Sequence, residues 1–312
     1  MTIAIGIPVT KIAYLADALR SIADQSTPVA EVVVVDNGAD GDVAGIIAAE
    51  YPRAILYRND RQLPPVENWN LVVSYITADW LILLSDDDYM APDHVSQITA
   101  VNLACPAARL IHTRVFIVDE NGKKTGISPL AAATESCYDL LMHRQLGYRA
   151  QFLSDFVWQT DCLRMVGGFA DLPSAWGTDD LTAFRMAKVA GVAYGSKPTF
   201  YYRMHANNIT NAHSVYKKLL AICSFEDALR SELTSSNPSG HECDDYVRSR
   251  CMTLMDDYRG RMQLYVLNNV KGWNLIGVFI RAALSGNTFR ISLRVACLAF
   301  VRKIVSGIRG SS

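Results

Sequence analysis

Two hydrophobic periods alternate from Thr2 to Val118, and that alternation restricts the fold more than any other feature. Thr2 to Val9 is a short β-type run, and Lys11 to Gln25 then sets Leu15, Ala18, Leu19 and Ile22 at helical spacing. Glu31 to Asp36 reads EVVVVD, a β-branched run suited to a strand buried on both faces. Asn37-Gly38-Ala39-Asp40-Gly41 is turn chemistry, followed by the helix-like GDVAGIIAAEY. The pattern repeats: strand Ala54 to Tyr57, helix Val66 to Ile76, strand Trp80 to Leu84, helix Pro92 to Leu103, strand Arg109 to Val118. Such repetition predicts parallel βαβ units in a doubly wound α/β sheet. Ligands of these sheets bind beyond the carboxyl ends of the strands, here Pro8, Asp36, Asn59 and Asp86.

Beyond Val118 the pattern loosens. Residues 123–150 are poorly periodic and predict a loop-rich connection, and a strand pair is expected at Val192–Ser196 and Thr199–Met204. From Ser214 the periodicity is helical. The expected domains are 1–212, an α/β catalytic domain, and 213–312, a helical C-terminal region.

Several acidic positions could carry chemistry. Asp86-Asp87-Asp88 follows WLILLS; on an extended strand end, Asp86 and Asp88 share one side and Asp87 points away. Three adjacent carboxylates repel one another unless a cation joins them, and magnesium or manganese prefers such oxygen ligands. The plainer reading is a solvated acidic turn or a helix cap before Pro92. Asp36 is either an Asx-turn residue or a ligand contact at the sheet's switch region. Thr178-Asp179-Asp180 opens a helical pattern after Gly167-Gly168-Phe169, so it is either a helix cap or a general base. Arg203 could meet a diphosphate, though most arginines are surface residues.

Together these segments resemble family 2 glycosyltransferases of the GT-A fold, over roughly residues 2–210. The features, in order, are IGIPVT, VVVDNGADGD, NWNLVV, LLSDDDYMAPD, and GGF followed by TDDL and YYRMH. Three departures stand out. Val9-Thr10-Lys11 replaces the usual aromatic-Asn pair, Asp-Asp-Asp replaces Asp-Ala-Asp, and Thr178-Asp179-Asp180 stands where the family has Glu-Asp. The resemblance implies that Pro8 and Asp36 line the nucleotide site, commonly uridine, and that Asn68, Asp86 and Asp87 contact nucleotide or sugar. It implies a divalent metal, Mn2+ or Mg2+, at Asp88 with His205, and a catalytic base at Asp179 or Asp180, with Asp179 preferred. The implied reaction is inverting transfer of a sugar from a nucleotide-sugar donor to a hydroxyl of a glycan or lipid-linked glycan. A nucleotide-sugar pyrophosphorylase would need a glycine-rich basic loop after the first strand, which Pro8-Val9-Thr10 is not. A catalytically degenerate glycan-binding domain would leave the metal, base and His positions without purpose.

The chain is 50% hydrophobic with net charge −1, but its charge is uneven. Nine basic and no acidic residues follow Asp257, against 21 basic and 31 acidic in residues 1–257. Within 273–309, Phe289, Leu293, Ala296, Phe300 and Ile304 fall on one helical stripe interleaved with Arg290, Arg294, Arg302 and Lys303. Basic amphipathic helices of this kind lie in anionic membrane interfaces, the alternative being a helical cap with solvated arginines. Arginines interleaved with large aliphatics do not suit nucleic acid. The seven cysteines form no C-x-x-C pair and read as reduced core residues, no signal peptide is recognisable, and no apolar run spans a bilayer. The expectation is a cytoplasmic enzyme, peripheral on the cytoplasmic face of the inner membrane.

Overall fold

The computed structural model describes residues 1–205, 214–235, 242–270, 274–284, 286 and 288–309, with side chains to 302. It separates into two units. Met1–Asp171 and Thr178–Ala206 form the first; Leu172–Gly177 and the chain from Asn207 onward form the second.

In the first unit β1 (Ile3–Val9), α1 (Leu15–Ala23), β2 (Glu31–Asp36), α2 (Val43–Glu50), β3 (Ile55–Arg58), α3 (Pro65–Tyr75) and β4 (Trp80–Leu83) follow one another. β3, β2, β1 and β4 pair in parallel, in that spatial order. The central four valines of β2 are buried, as a strand covered on both faces requires. In α1 the expected stripe Leu15, Ala18, Leu19 and Ile22 packs inward. The helix begins at Leu15 and not at Lys11, and the amides of Thr10 and Lys11 ahead of it are bound by a carboxylate described below. Pro65 sits in the first turn of α3, where its missing N–H costs nothing.

The sheet continues through β5 (Tyr89–Met90), α4 (His94–Ala104), β6 (Leu110–Val118), β7 (Lys124–Ile127), β8 (Thr134–Glu135) and α5 (Cys137–Leu146). After a 3-10 turn at Leu153–Asp155 come β9 (Phe156–Gln159), α6 (Thr160–Met165), α7 (Thr178–Ala190) and β10 (Val192–Arg203). β9 lies antiparallel between β4 and β6, while β10 runs parallel to β6, so one reversed strand interrupts the parallel sheet.

Two local expectations change. Residues 123–150 hold two strands and a helix instead of a loop. The signals were short-range: Ser136 Oγ accepts from the Asp139 amide at 3.0 Å, and Gly147 closes α5 at φ 83°, which suits glycine. The expected strand pair at 192–204 is one strand, β10, with register shifts on either side of Pro198. Proline cannot donate to the ladder and bends the strand without ending it.

The second unit contains α8 (Val215–Thr234), α9 (Glu242–Asn268), α10 (Asn274–Leu284) and α11 (Leu293–Arg309). Leu219, Ile222, Leu267, Val278, Phe289 and Val295 share its core. Buried Glu226 accepts from Arg259 at 2.6 and 2.7 Å and from Arg290 at 3.3 Å. Arg290 also holds Asp227 at 2.6 Å, and Arg294 meets Asp257 at 3.3 Å. Part of the basic tail therefore neutralises acids on α8 and α9. Phe289 departs from the expected stripe, since it precedes α11 and is buried in this core. Inside α11, Val295 and Ala299 face inward while Leu293 (82% exposed), Phe300 and Val301 face out; on α10, Ile280 and Leu284 (85% exposed) do the same. The side chain of Ile304 lies outside the described residues.

Candidate active site

The carboxyl ends of β1, β2 and β4 lie side by side, because their registers align Val9 with Asp36 and Gly6 with Leu83. Pro8 is buried inside β1, opposite Val35. Asp36 ends β2; its Oδ1 accepts from the Ala39 amide at 3.0 Å and its Oδ2 lies 3.6 Å from Arg58 Nε. It is thus an Asx-turn residue that also stands at the switch region. The residue after it, which reads in the sequence only as turn chemistry, does more. Buried Asn37 bonds both the amide and the carbonyl of Leu63, and its Oδ1 accepts from Asn59 Nδ2 at 2.8 Å. Asn59 Nδ2 also donates to Asn68 Oδ1 at 2.9 Å. Asn68 is therefore buried in an amide chain that pins the 59–63 loop to the end of β2. Two asparagines directly after strand ends, Asn37 and Asn59, and one in the first turn of α3, Asn68, were the available signal.

The three aspartates follow β4 in a turn, closed by the Asp88 amide on Ser85 O at 3.3 Å. An extended strand end is therefore not what they form. The turn sends each carboxylate to a different part of the chain. Asp86 Oδ2 accepts from the amides of Thr10 (2.7 Å) and Lys11 (2.9 Å), fixing the loop after β1. Asp87 Oδ2 lies 2.8 Å from His205 Nε2, just past the end of β10. Asp88, 1% exposed, accepts from the Arg203 amide at 2.9 Å and is also bonded by Ser154.

Arg203 is buried, not a surface residue. It donates to Asp87 O (3.0 Å), Glu120 O (2.9 Å) and Asp17 Oδ2 (3.0 Å), with its guanidinium 4.1 Å from the Tyr14 ring centre. It braces the aspartate turn from behind. Tyr14 also stands against the His205 ring, at 5.3 Å.

Burial, reinforced by the neighbouring Asp87 charge, pushes the Asp86 carboxyl up to about 6 and holds Asp88 well above the usual carboxylate range. No group of three His, Cys, Asp or Glu side chains converges at metal-ligand spacing among the described residues. The donors nevertheless suit a hard divalent ion in kind. Asp87 and His205 are adjacent, Asp88 is next in the turn, and such ions take few protein ligands and complete their shell with phosphate and water.

A second acidic pair opens α7. Gly167 and Gly168 both have positive φ, and a Cβ on Gly168 would collide with Asn70 Oδ1. Asn70 instead bonds the Phe169 amide (2.7 Å) and carbonyl (3.0 Å). Thr178 Oγ1 donates to Ala170 O at 2.9 Å, and Thr182 Oγ1 accepts from the Ala170 amide at 3.0 Å. The GGF segment and the first turn of α7 are thereby joined. Asp180 accepts from Arg144 Nε at 3.0 and 3.1 Å. Asp179 is half-buried; desolvation first, and the Asp180 charge second, push its carboxyl up to about 7.

A largely parallel sheet with carboxylates gathered beyond its strand ends, joined to a helical C-terminal region, is the GT-A fold. The chain belongs to glycosyl transferase family 2, whose sequence model matches residues 7–161, and it is a glycosyltransferase. Among solved structures it is similar to Staphylococcus aureus TarS 1-349 in complex with UDP-GlcNAc. The TM-score is 0.65 at 14% identity, covering 86% of this chain and 80% of that one. TarS 1-349 in complex with UDP gives 0.60 at 15% identity, covering 84% and 71%. A longer TarS structure also gives 0.60 at 15%, covering 84% of this chain and 43% of that one. No curated protein matches the chain significantly.

Proposed function

We propose that this enzyme moves a sugar from a UDP-linked donor to a hydroxyl of a glycan or lipid-linked glycan, with inversion at the anomeric carbon. The observation that carries the reading is the 2.8 Å approach of Asp87 and His205, 118 positions apart, at the carboxyl edge of a family 2 sheet. The TarS relative in complex with UDP-GlcNAc supports a nucleotide-sugar donor.

Pro8 and Asp36 line the nucleotide end, with Asn68 holding the loop beneath, and Asp86 and Asp87 face ribose and sugar. Asp88 and His205, with Asp87 beside them, would hold Mn2+ or Mg2+, which when bound offsets the charge growing on the leaving diphosphate. Asp179 takes the proton from the acceptor hydroxyl. A carboxylate raised to about 7 is matched to proton transfer near neutral pH. The hydroxyl then attacks the anomeric carbon opposite the diphosphate, and one displacement inverts configuration.

Residues 273–309 make peripheral contact with an anionic membrane, on the cytoplasmic face of the inner membrane in this reading. Exposed Ile280, Leu284, Leu293 and Val301 support it, and no described helix is long and apolar enough to cross a bilayer. The test is hydrolysis of a panel of nucleotide sugars with manganese. Turnover of one UDP-sugar, lost in chelator and in Asp88→Ala, is expected; undiminished turnover in excess chelator removes the metal from the account.

A further inference from the structure

Arg144, on α5, lies outside every motif that marks the family resemblance, yet it contacts the acidic pair directly. Its Nε stands 3.0 and 3.1 Å from the two Asp180 oxygens, and its Nη1 donates to Arg149 O at 3.1 Å. That second anchor is itself fixed. The Arg149 guanidinium pairs with buried Glu135, which also accepts from Tyr194 OH at 2.7 Å and meets His143 Nδ1 at 2.9 Å. The left-handed Gly147 after α5 turns the chain so that Arg149 returns beneath Arg144. Arg144 is therefore held by a platform built from β8, β10 and the end of α5.

We infer that Arg144 is a positioning residue: by holding the Asp180 carboxylate it fixes the start of α7 and leaves Asp179 as the carboxylate of the pair that accepts the proton. The inference rests on the proposed role of Asp179 as base. The chemistry is that of two adjacent acids with unequal partners. A guanidinium never gives up its charge near neutral pH, so Asp180 cannot accept a proton without losing two charge-assisted contacts. Asp179 has no ion pair to lose among the described residues.

Three charged groups surround Asp179: Asp180 on its own helix, Arg144 on α5, and Asp155 in the turn before β9. Burial and the two acids favour its neutral form, and Arg144 opposes them. Removing Arg144 and neutralising Asp180 should therefore move Asp179 in opposite directions, which a purely structural contact would not do.

The experiment is the pH dependence of kcat for manganese-supported hydrolysis of the best UDP-sugar, in wild type, Arg144→Gln, Arg144→Lys, Asp180→Asn and Asp179→Asn. Arg144→Gln should shift the acid limb up by about one pH unit and Asp180→Asn should shift it down, the scale on which a neighbouring charge acts. Arg144→Lys should restore part of the shift. An unmoved limb in folded Arg144→Gln, with Asp179→Asn inactive, overturns the inference and leaves the base in place. Wild-type turnover in Asp179→Asn instead removes the base reading itself. Should Arg144→Gln fail to fold, the downward shift in Asp180→Asn, or its absence, decides in the same way.

Discussion

The aspartates at 86–88 and those at 179–180 look alike in sequence but differ in what surrounds them. In the first cluster three carboxylates leave one turn toward three separate segments: the loop after β1, His205, and the Arg203 amide. In the second, one carboxylate is matched by an arginine and its neighbour is left desolvated. The first arrangement ties strand ends into a rigid cradle suited to a fixed charge. The second produces one acid that titrates near neutrality. A run of acids in a sequence reports that charge is concentrated there; the partners supplied by the fold decide whether it binds or moves a proton.

The largest effect should separate the two members of the second pair. Asp179→Asn should lower kcat by about 10²–10⁴-fold with donor affinity nearly kept, the range for losing a general base. Asp180→Asn should cost far less in steady-state assays at neutral pH. Equal losses in both variants would erase the distinction.

Stability against pH sharpens the same contrast. A carboxyl raised in the folded state stabilises fully below the ordinary carboxylate range and loses that contribution as pH climbs through its folded value. Asp179, at about 7, and Asp86, at about 6, place that loss between roughly pH 4 and 7. Metal-free protein should therefore unfold at a lower temperature at pH 8 than at pH 5. Asp179→Asn should be more stable than wild type at pH 8 by about 1–3 kcal/mol, since moving a carboxyl's titration by one pH unit is worth about 1.4 kcal/mol. Chemical denaturation at both pH values is the check, and identical curves would show that Asp179 is solvated.

The smallest effect is that of salt on the tail. With Arg259, Arg290 and Arg294 engaged by Glu226, Asp227, Asp256 and Asp257, salt should release only a minor fraction of protein from anionic vesicles. Apolar burial of Leu284, Leu293 and Val301, at about 25 cal/mol per Å2, should retain the rest. Truncation after Lys271 should abolish flotation; equal flotation of truncated and full-length protein would make the helices a structural cap.

Much of this was legible in the sequence where the signal was local. β2 and the α1 stripe follow from β-branched runs and from 3.6-residue spacing, and both acidic motifs were visible as candidates. What escaped depends on distant partners. Nothing near Arg203 indicates that it would be buried behind Asp87, and nothing near Arg144 indicates Asp180, 36 positions away. The basic tail was legible only in part for the same reason: Glu226 and Asp227, which pair with Arg259 and Arg290, lie on α8, beyond any window of composition. Asn37 was read only as turn chemistry, because its buried bonds to Leu63 and Asn59 appear once the loop is folded.

If the aspartate turn and His205 hold the donor diphosphate through a divalent ion, UDP affinity must depend on that ion and on the histidine together. Calorimetric titration of UDP into wild type and His205→Ala, each with manganese and with chelator, tests this most directly. Manganese should tighten UDP binding to wild type by at least about tenfold, or about 1.4 kcal/mol, and should give little gain in His205→Ala. Equal affinity for UDP in wild type with manganese and with chelator would contradict it.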